Sequence, residues 1–298
     1  MPQPYGAVAG DTGSDIAAQV VEQRRRVRSR MEQVAHCVAV MSGKGGVGKS
    51  MLTANLAAAL AARGHAVGAL DADLSGPCLA RMLGAERQPL RIGEEGVVPA
   101  LGAAGVRVMS MDLFLPHDDT PVVWDDLDGS AQASFVWRGA MDASAVREFL
   151  SDTVWGELDL LLIDLPPGAH SFPTVAQLVP DLDGAIVVTI PSDASRLVVK
   201  KSITLAKEAE TPLLGLVENM AGYHCAHCGV VGELFPAAGE RTVAEELGVP
   251  SLGRVPFDPR LARSAEGGRL PFVLEHGDSP AGKALNAIAD RVEQLLGG

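Results

Sequence analysis

Short apolar runs alternate with stretches of helical periodicity along the whole chain. This alternation predicts a single doubly wound, mostly parallel sheet flanked by helices, the α/β class. The clearest of about seven strand-like runs are residues 37–41, 66–70, 160–163 and 216–220. Residues 52–62 carry helix formers, and Gly64 stands where a C-cap belongs. At the far end Leu285, Ile288, Ala289, Val292 and Leu295 recur with helical spacing, which predicts a helix packed on the core. Near the start, a helix over about 16–33 gathers Arg24, Arg25, Arg26, Arg28 and Arg30.

No Pro/Gly-rich linker or internal repeat divides the 298 residues, so one domain is expected over 16–298, after a disordered stretch over 1–15. A hydrophobic content of 47% with 21% charged residues indicates a globular chain. The net charge of −12 argues against nucleic acid and anionic membrane as partners. Against it stands the arginine cluster, read as a solvated, partly paired face or as a docking surface. There is no signal-peptide pattern and no run near the roughly 18 apolar residues of a membrane span. Four cysteines in a chain this long point to a reducing, cytoplasmic setting rather than a disulfide scaffold.

Between the first strand and the first long helix lies Gly43-Lys44-Gly45-Gly46-Val47-Gly48-Lys49-Ser50, which fits G-x-x-x-x-G-K-[ST]. Strand, glycine loop and helix N-terminus together make an anion site: free N–H groups, a positive dipole end and no Cβ in the way. Lys49 is expected on the β- and γ-phosphates, and the Ser50 hydroxyl on Mg²⁺. Met51 continues the loop. Lys44, a second lysine in the loop, is read either as a surface lysine or as a cation offered in trans to a facing subunit's phosphates.

The strand at 66–70 runs into Asp71-Ala72-Asp73, and the strand at 160–163 into Asp164 and Pro-Pro-Gly. Ligands of open α/β sheets sit beyond the carboxyl ends of the strands, so these carboxylates should face the loop. Asp71 and Asp164 are assigned to the Mg²⁺ shell, mostly through water, and Asp73 to positioning the attacking water. Asn219 ends another strand with an amide able to read a base edge.

Next comes Cys225-Ala226-His227-Cys228. A C-x-x-C turn puts two thiolates on one centre, whereas zinc and iron–sulfur sites usually take four ligands. Three arrangements remain open: a redox pair, although no helix clearly starts here; zinc completed by His224 or His227; or two further thiolates from an identical subunit. Cys37 and Cys78 read as inert small hydrophobes.

With SGKGGVGKS at 42–50, DADLSGP at 71–77, VWRGAM at 136–141, WGELDLLLIDLPPG at 155–168, ENMAGYHCAHCG at 218–229 and LGRVPFDP at 252–259, the chain resembles the Mrp/ApbC branch of the deviant Walker A ATPases. That group, related to MinD, ParA and the nitrogenase iron protein, comprises iron–sulfur cluster carriers. The resemblance covers about 20–296 and implies a MinD/ParA-like P-loop fold and a weak Mg²⁺-dependent ATPase. It also implies a homodimer that holds a 4Fe–4S cluster between Cys225/Cys228 pairs and passes it to apo iron–sulfur proteins. Zinc could take that place in aerobic preparations. Asn219 and the backbone near Pro256 would flank adenine. A positioning switch of the MinD/ParA kind and a zinc-bridged P-loop dimer are the alternative readings. The departures are Met51 for threonine, Ala140 for proline, Ala169-His170 after Pro-Pro-Gly, the missing paired glycines at 235–239 and an acidic insertion at 118–134.

Overall fold

The computed structural model describes residues 16–85, 91–114, 143–179, 181–225, 227–235, 242–266 and 270–297. The expected disorder of 1–15, the insertion at 118–134, the run at 136–141 and most of 235–239 lie outside them.

The strands are β1 (Val34–Ser42), β2 (Val67–Asp71), β3 (Arg91–Gly93), β4 (Gly96–Val98), β5 (Ala100–Leu101), β6 (Arg107–Met109), β7 (Leu158–Asp164), β8 (Gly184–Thr189), β9 (Leu213–His224), β10 (Val231–Gly232) and β11 (Ser251–Phe257). The helices are α1 (Ile16–Met31), α2 (Lys49–Ala62), α3 (Leu79–Met82), α4 (143–152), α5 (Phe172–Leu178), α6 (Asp193–Glu208), α7 (Val243–Leu247), α8 (Pro259–Glu266), α9 (Phe272–Glu275) and α10 (Pro280–Leu296). Among the described residues the main sheet runs β10-β9-β8-β1-β7-β2-β6-β5, with β11 also on β9. Its interior pairs are parallel, and only the short β5 and β10 run antiparallel. Strand order reverses around β1, the point where open α/β sheets place their ligands.

Alternation along each strand assigns side chains to two cores. Val38, Val40, Leu160, Leu162, Ile186 and Val188 face α2, α3 and α8–α10. Cys37, Ala39, Met41, Leu161, Ile163 and Val187 face α1 and α4–α7. Both sheet faces are therefore dry, which is why the sequence shows unbroken apolar runs rather than alternation. Helix α2 is almost wholly buried, its Ala57-Ala58-Ala59 letting it lie close between sheet and α10.

Helix α10 packs as the periodicity predicts, with Leu285, Ile288, Ala289 and Val292 buried. Leu295 departs from the expectation: it is 52% exposed, and its neighbour Leu296, four positions beyond Val292, takes the place against the core instead. Three of the charges of α10 are committed to other elements. Asp290 and Glu293 pair with Arg63 beyond α2, and Arg291 donates to the Leu252 carbonyl. No helix among the described residues is long and apolar enough to cross a membrane.

Helix α1 inserts Val27 and Met31 beside Val146, Phe149 and Leu150 of α4. Arg26 pairs with Asp152, and Arg30 donates to the Glu95 carbonyl. Arg25 pairs with Glu22, while Arg24 and Arg28 are exposed. The arginine face is thus partly used for fastening.

Candidate functional site

The phosphate loop connects β1 to α2 at the carboxyl edge of the sheet. Gly48, the N-cap of α2, sits at φ 82°, where a side chain is strained, and a Cβ there would also overlap the Asn219 amide. Gly43 is held by close approach instead: a Cβ would overlap Val198 of α6. Side chains at either position would push the loop off the strand end, so both glycines serve the cradle that phosphate oxygens need.

Behind the loop, the Asn219 Nδ2 donates to the Val47 carbonyl at 2.8 Å. Asn219 and Val47 are both buried. In this structure the amide expected to read a base edge supports the loop from the rear. Pro256, also buried, lies where the β9–β11 register shifts between Val255 and Phe257, as suits a residue with no N–H to give the ladder.

Asp164 organises the front of the site. It is fully buried at the end of β7 and receives the Lys49 ammonium at 2.6 Å. The same carboxylate accepts the Ser50 hydroxyl and, at 2.7 Å, the Thr53 hydroxyl. Thr53 was not singled out by the sequence reading. Its signal is helical spacing, since positions three and four beyond Ser50 and Lys49 share their face of α2. Met51 turns into partial contact with the core.

Asp71 lies in register with Asp164 on the adjoining strand and is likewise buried. Its carboxylate accepts the backbone N–H groups of Asp73, Cys78 and Leu79 and the Ser110 hydroxyl. Burial, and then the charge of Asp164, push it up to about 7 despite those donors. Two carboxylates thus stand side by side with one nearby ammonium, that of Lys49. The excess negative charge, next to a serine hydroxyl and a phosphate cradle, fits a divalent cation. Asp73 is half-buried in the following turn, where it accepts the Gly76 N–H at 3.2 Å. Burial raises its pKa, opposed by the charge of Lys49.

Lys44 is partly exposed, its carbonyl accepting the Ser42 hydroxyl, and its ammonium enters no ion pair among the described residues. The Gly168 N–H donates to the Ser42 carbonyl, so the Pro-Pro-Gly segment is tied beside the loop. After it Ala169–Ser171 form a 3-10 turn with His170 exposed. Cys78 sits in the site in hydrogen-bond contact with Ser50, yet burial and then Asp71 push its thiol up to about 12, so it stays protonated. Burial also pushes Cys37 up. The reading of both as inert agrees with these environments.

Strand β9 runs past Asn219 and Met220, four residues beyond the predicted end, because β11 and β10 pair with its extension. It ends at His224, and Cys225 opens a turn closed by the Gly229 N–H on the Cys225 carbonyl. The N–H groups of Cys228 and then His227 bond the Cys225 thiol and lower its pKa, so the turn favours thiolate at that sulfur. Cys228 is exposed. His224 was weighed as a metal ligand, but its Nδ1 faces Asp258 at 3.0 Å. Among the described residues no group of three or more His, Cys, Asp or Glu side chains is placed to hold a metal.

Asp258, 1% exposed, also takes two hydrogen bonds from the Arg260 guanidinium, at 3.0 and 2.7 Å, and one from the Arg260 N–H at 3.0 Å. Burial would raise its carboxyl, but the bonds from Arg260 and His224 prevail and hold it at about 2. His224 and Arg260 line a cleft of about 710 Å³ with residues 273–280 and Asn286.

Residues 33–293 match the NUBPL iron-transfer P-loop NTPase family. The chain belongs to that family. Among its relatives is an iron–sulfur cluster carrier protein of Saccharolobus solfataricus, 44% identical over 99% of this chain and 95% of the relative. The cytosolic Fe-S cluster assembly factor NUBP2 of Bos taurus is 40% identical over 87% and 92%. Among solved structures, the nucleotide-binding protein from Archaeoglobus fulgidus in complex with ADP is 35% identical, with a TM-score of 0.69 over 83% of this chain and 92% of that one. The cell division ATPase MinD of Pyrococcus furiosus, 22% identical with a TM-score of 0.61 over 88% and 99%, shares the fold.

Proposed function

We propose that this chain is an ATP-dependent iron–sulfur cluster carrier that works as a homodimer. A 4Fe–4S cluster, its cargo, is held between the Cys225/Cys228 pairs of two copies and passed to apo iron–sulfur proteins. The observation that carries this reading is the cysteine hairpin. It presents two thiols, one of them held toward thiolate, with no third ligand from the described residues of the same chain. A cluster that takes four ligands then needs a second copy. The carrier and assembly-factor names of the relatives support the cargo, and the ADP complex supports the nucleotide.

In this reading Lys49 and the loop N–H groups of residues 43–51 bind the phosphates, and Ser50, Asp164 and Asp71 would hold Mg²⁺. When bound, Mg²⁺ would neutralise phosphate charge during hydrolysis. Asp73 orients the attacking water, and Lys44 reaches the partner copy's phosphates. The adenosine end is directed past Asn219 of β9 and Pro256 of β11 toward the cleft that His224 and Arg260 line. A positioning switch would use the same loop but leaves the cysteine hairpin without a task.

Anaerobic reconstitution of wild type and a Cys225→Ser/Cys228→Ser variant tests the proposal, with iron, acid-labile sulfide, zinc and oligomeric state measured together. Wild type should hold one cluster per dimer and the variant none. Equal iron and sulfide in both proteins, or zinc without sulfide in the wild type, would overturn the cluster assignment.

A further inference from the structure

Asn219 lies within β9 and Cys225, six positions on, just past its end, the first gripping the phosphate loop and the second opening the cysteine turn. The strand itself is not a straight rod between them. Met220 sits at φ 53°, a left-handed kink in a residue with a side chain. Past the kink, side chains fasten β9 to the end of β11. Tyr223 stacks on Phe257 with ring centroids 6.3 Å apart, and His224 bonds Asp258 at 3.0 Å. Buried Asp258 is also gripped by Arg260, which shares its Oδ2 with His224 and whose guanidinium lies 5.8 Å over the Phe272 ring. The next residue, Val273, donates its N–H to Asn55 of α2 at 2.8 Å, one turn beyond the phosphate loop. An unbroken series of contacts therefore runs from the loop helix through Phe272, Arg260, Asp258 and His224 to the residue before Cys225.

Both ends of that clasp, His224 and Arg260, form part of the wall of the 710 Å³ cleft. A ligand entering it meets the clasp directly. We propose that His224 is a positioning residue through which adenine-nucleotide occupancy of this cleft sets the geometry of the cysteine turn. The inference rests on the nucleotide reading given above. The ligand shifts the Asp258 clasp, the clasp carries His224, and the Cys225–Gly229 turn follows because it begins at the next residue. His224 is suited to this by its ring nitrogen: an apolar side chain would continue the strand but could not bond the buried carboxylate. Coupling between two sites is reciprocal, so metal or cluster bound at the cysteines changes nucleotide affinity by the same factor.

The test reads thiol reactivity in the full-length, metal-free protein. Alkylation of Cys225 and Cys228 by iodoacetamide is followed by peptide mass spectrometry with and without Mg-ADP. ADP is held roughly tenfold above the Kd measured for each protein. Wild type should show a nucleotide-dependent change in Cys225 reactivity of about fivefold or more, the lower end of measured site–site couplings. His224→Phe should abolish that difference, and His224→Gln, which can still bond Asp258, should restore part of it. A purely structural His224 would alter the basal rate and leave the nucleotide effect in place. Equal nucleotide effects in wild type and His224→Phe would overturn the inference, as would ADP that binds wild type without changing Cys225 reactivity. A binding isotherm with no ADP uptake would remove the nucleotide reading itself, and the inference with it.

Discussion

The phosphate loop, backed by Asn219 of β9, and the cysteine turn past the end of the same strand show opposite ways of building a site. At the phosphate loop the two strand-end carboxylates are buried and answered from within the chain: Asp164 by Lys49, Ser50 and Thr53, and Asp71 by three N–H groups and Ser110. At the cysteine turn the sulfurs are at or near the surface, and Val230 and Val231 beside them stand exposed. The first site is part of what holds the fold together. The second is peripheral to it and offers two sulfurs with no third ligand among the described residues. Substitutions should therefore cost stability at one site and binding alone at the other.

The sharpest contrast comes from Asp164→Asn. It leaves the Lys49 ammonium buried without its countercharge, a situation that costs about 3–5 kcal/mol. Urea unfolding should show a loss of that size together with loss of nucleotide binding. A stability change under 1 kcal/mol would mean that the site is not structural.

The pH dependence of Asp71 comes next. Its folded pKa is raised above the unfolded carboxylate value near 3.9. The sign follows: this group's contribution is fully present below about pH 4 and is lost as pH rises through about 7. The stability of wild type relative to Asp71→Asn should fall across that interval, on the order of a few kcal/mol at about 1.4 kcal/mol per unit. Mg²⁺ with nucleotide should flatten the fall by supplying countercharge. A difference that does not vary with pH would remove the shift.

Thr53→Val deprives the buried Asp164 oxygen of a donor and should cost about 1–3 kcal/mol by the same unfolding measurement. The Cys225→Ser/Cys228→Ser variant should lie within about 0.5 kcal/mol of wild type in the metal-free state, as surface changes do. A large loss there would erase the contrast.

Legibility in the sequence follows the same division. The strands leading to the site could be read because both of their faces are dry, but their ends were read short. Asp71, Asp164 and Ser42 are polar residues still inside the ladder, held there by tertiary partners that no window of sequence contains. The glycine loop could be placed because its chemistry is local. Thr53, Ser110 and Asp258 could not, since each matters through a residue far along the chain. Asn219 was noticed for its amide, yet its contact with Val47 belongs to the packing of β9 behind the loop. Leu295 and Leu296 both fit the helical period, and only packing decides that Leu296 faces the core.

The family match begins at residue 33, two positions after α1 ends. A shortened protein cut at that boundary would keep the nucleotide loop and both cysteines. It would also uncover the apolar patch of Val146, Phe149 and Leu150 that Val27 and Met31 now shield. Such a truncated form should clump during purification even where its chemistry is intact, and an affinity tag is better joined ahead of Ile16 than in place of the helix.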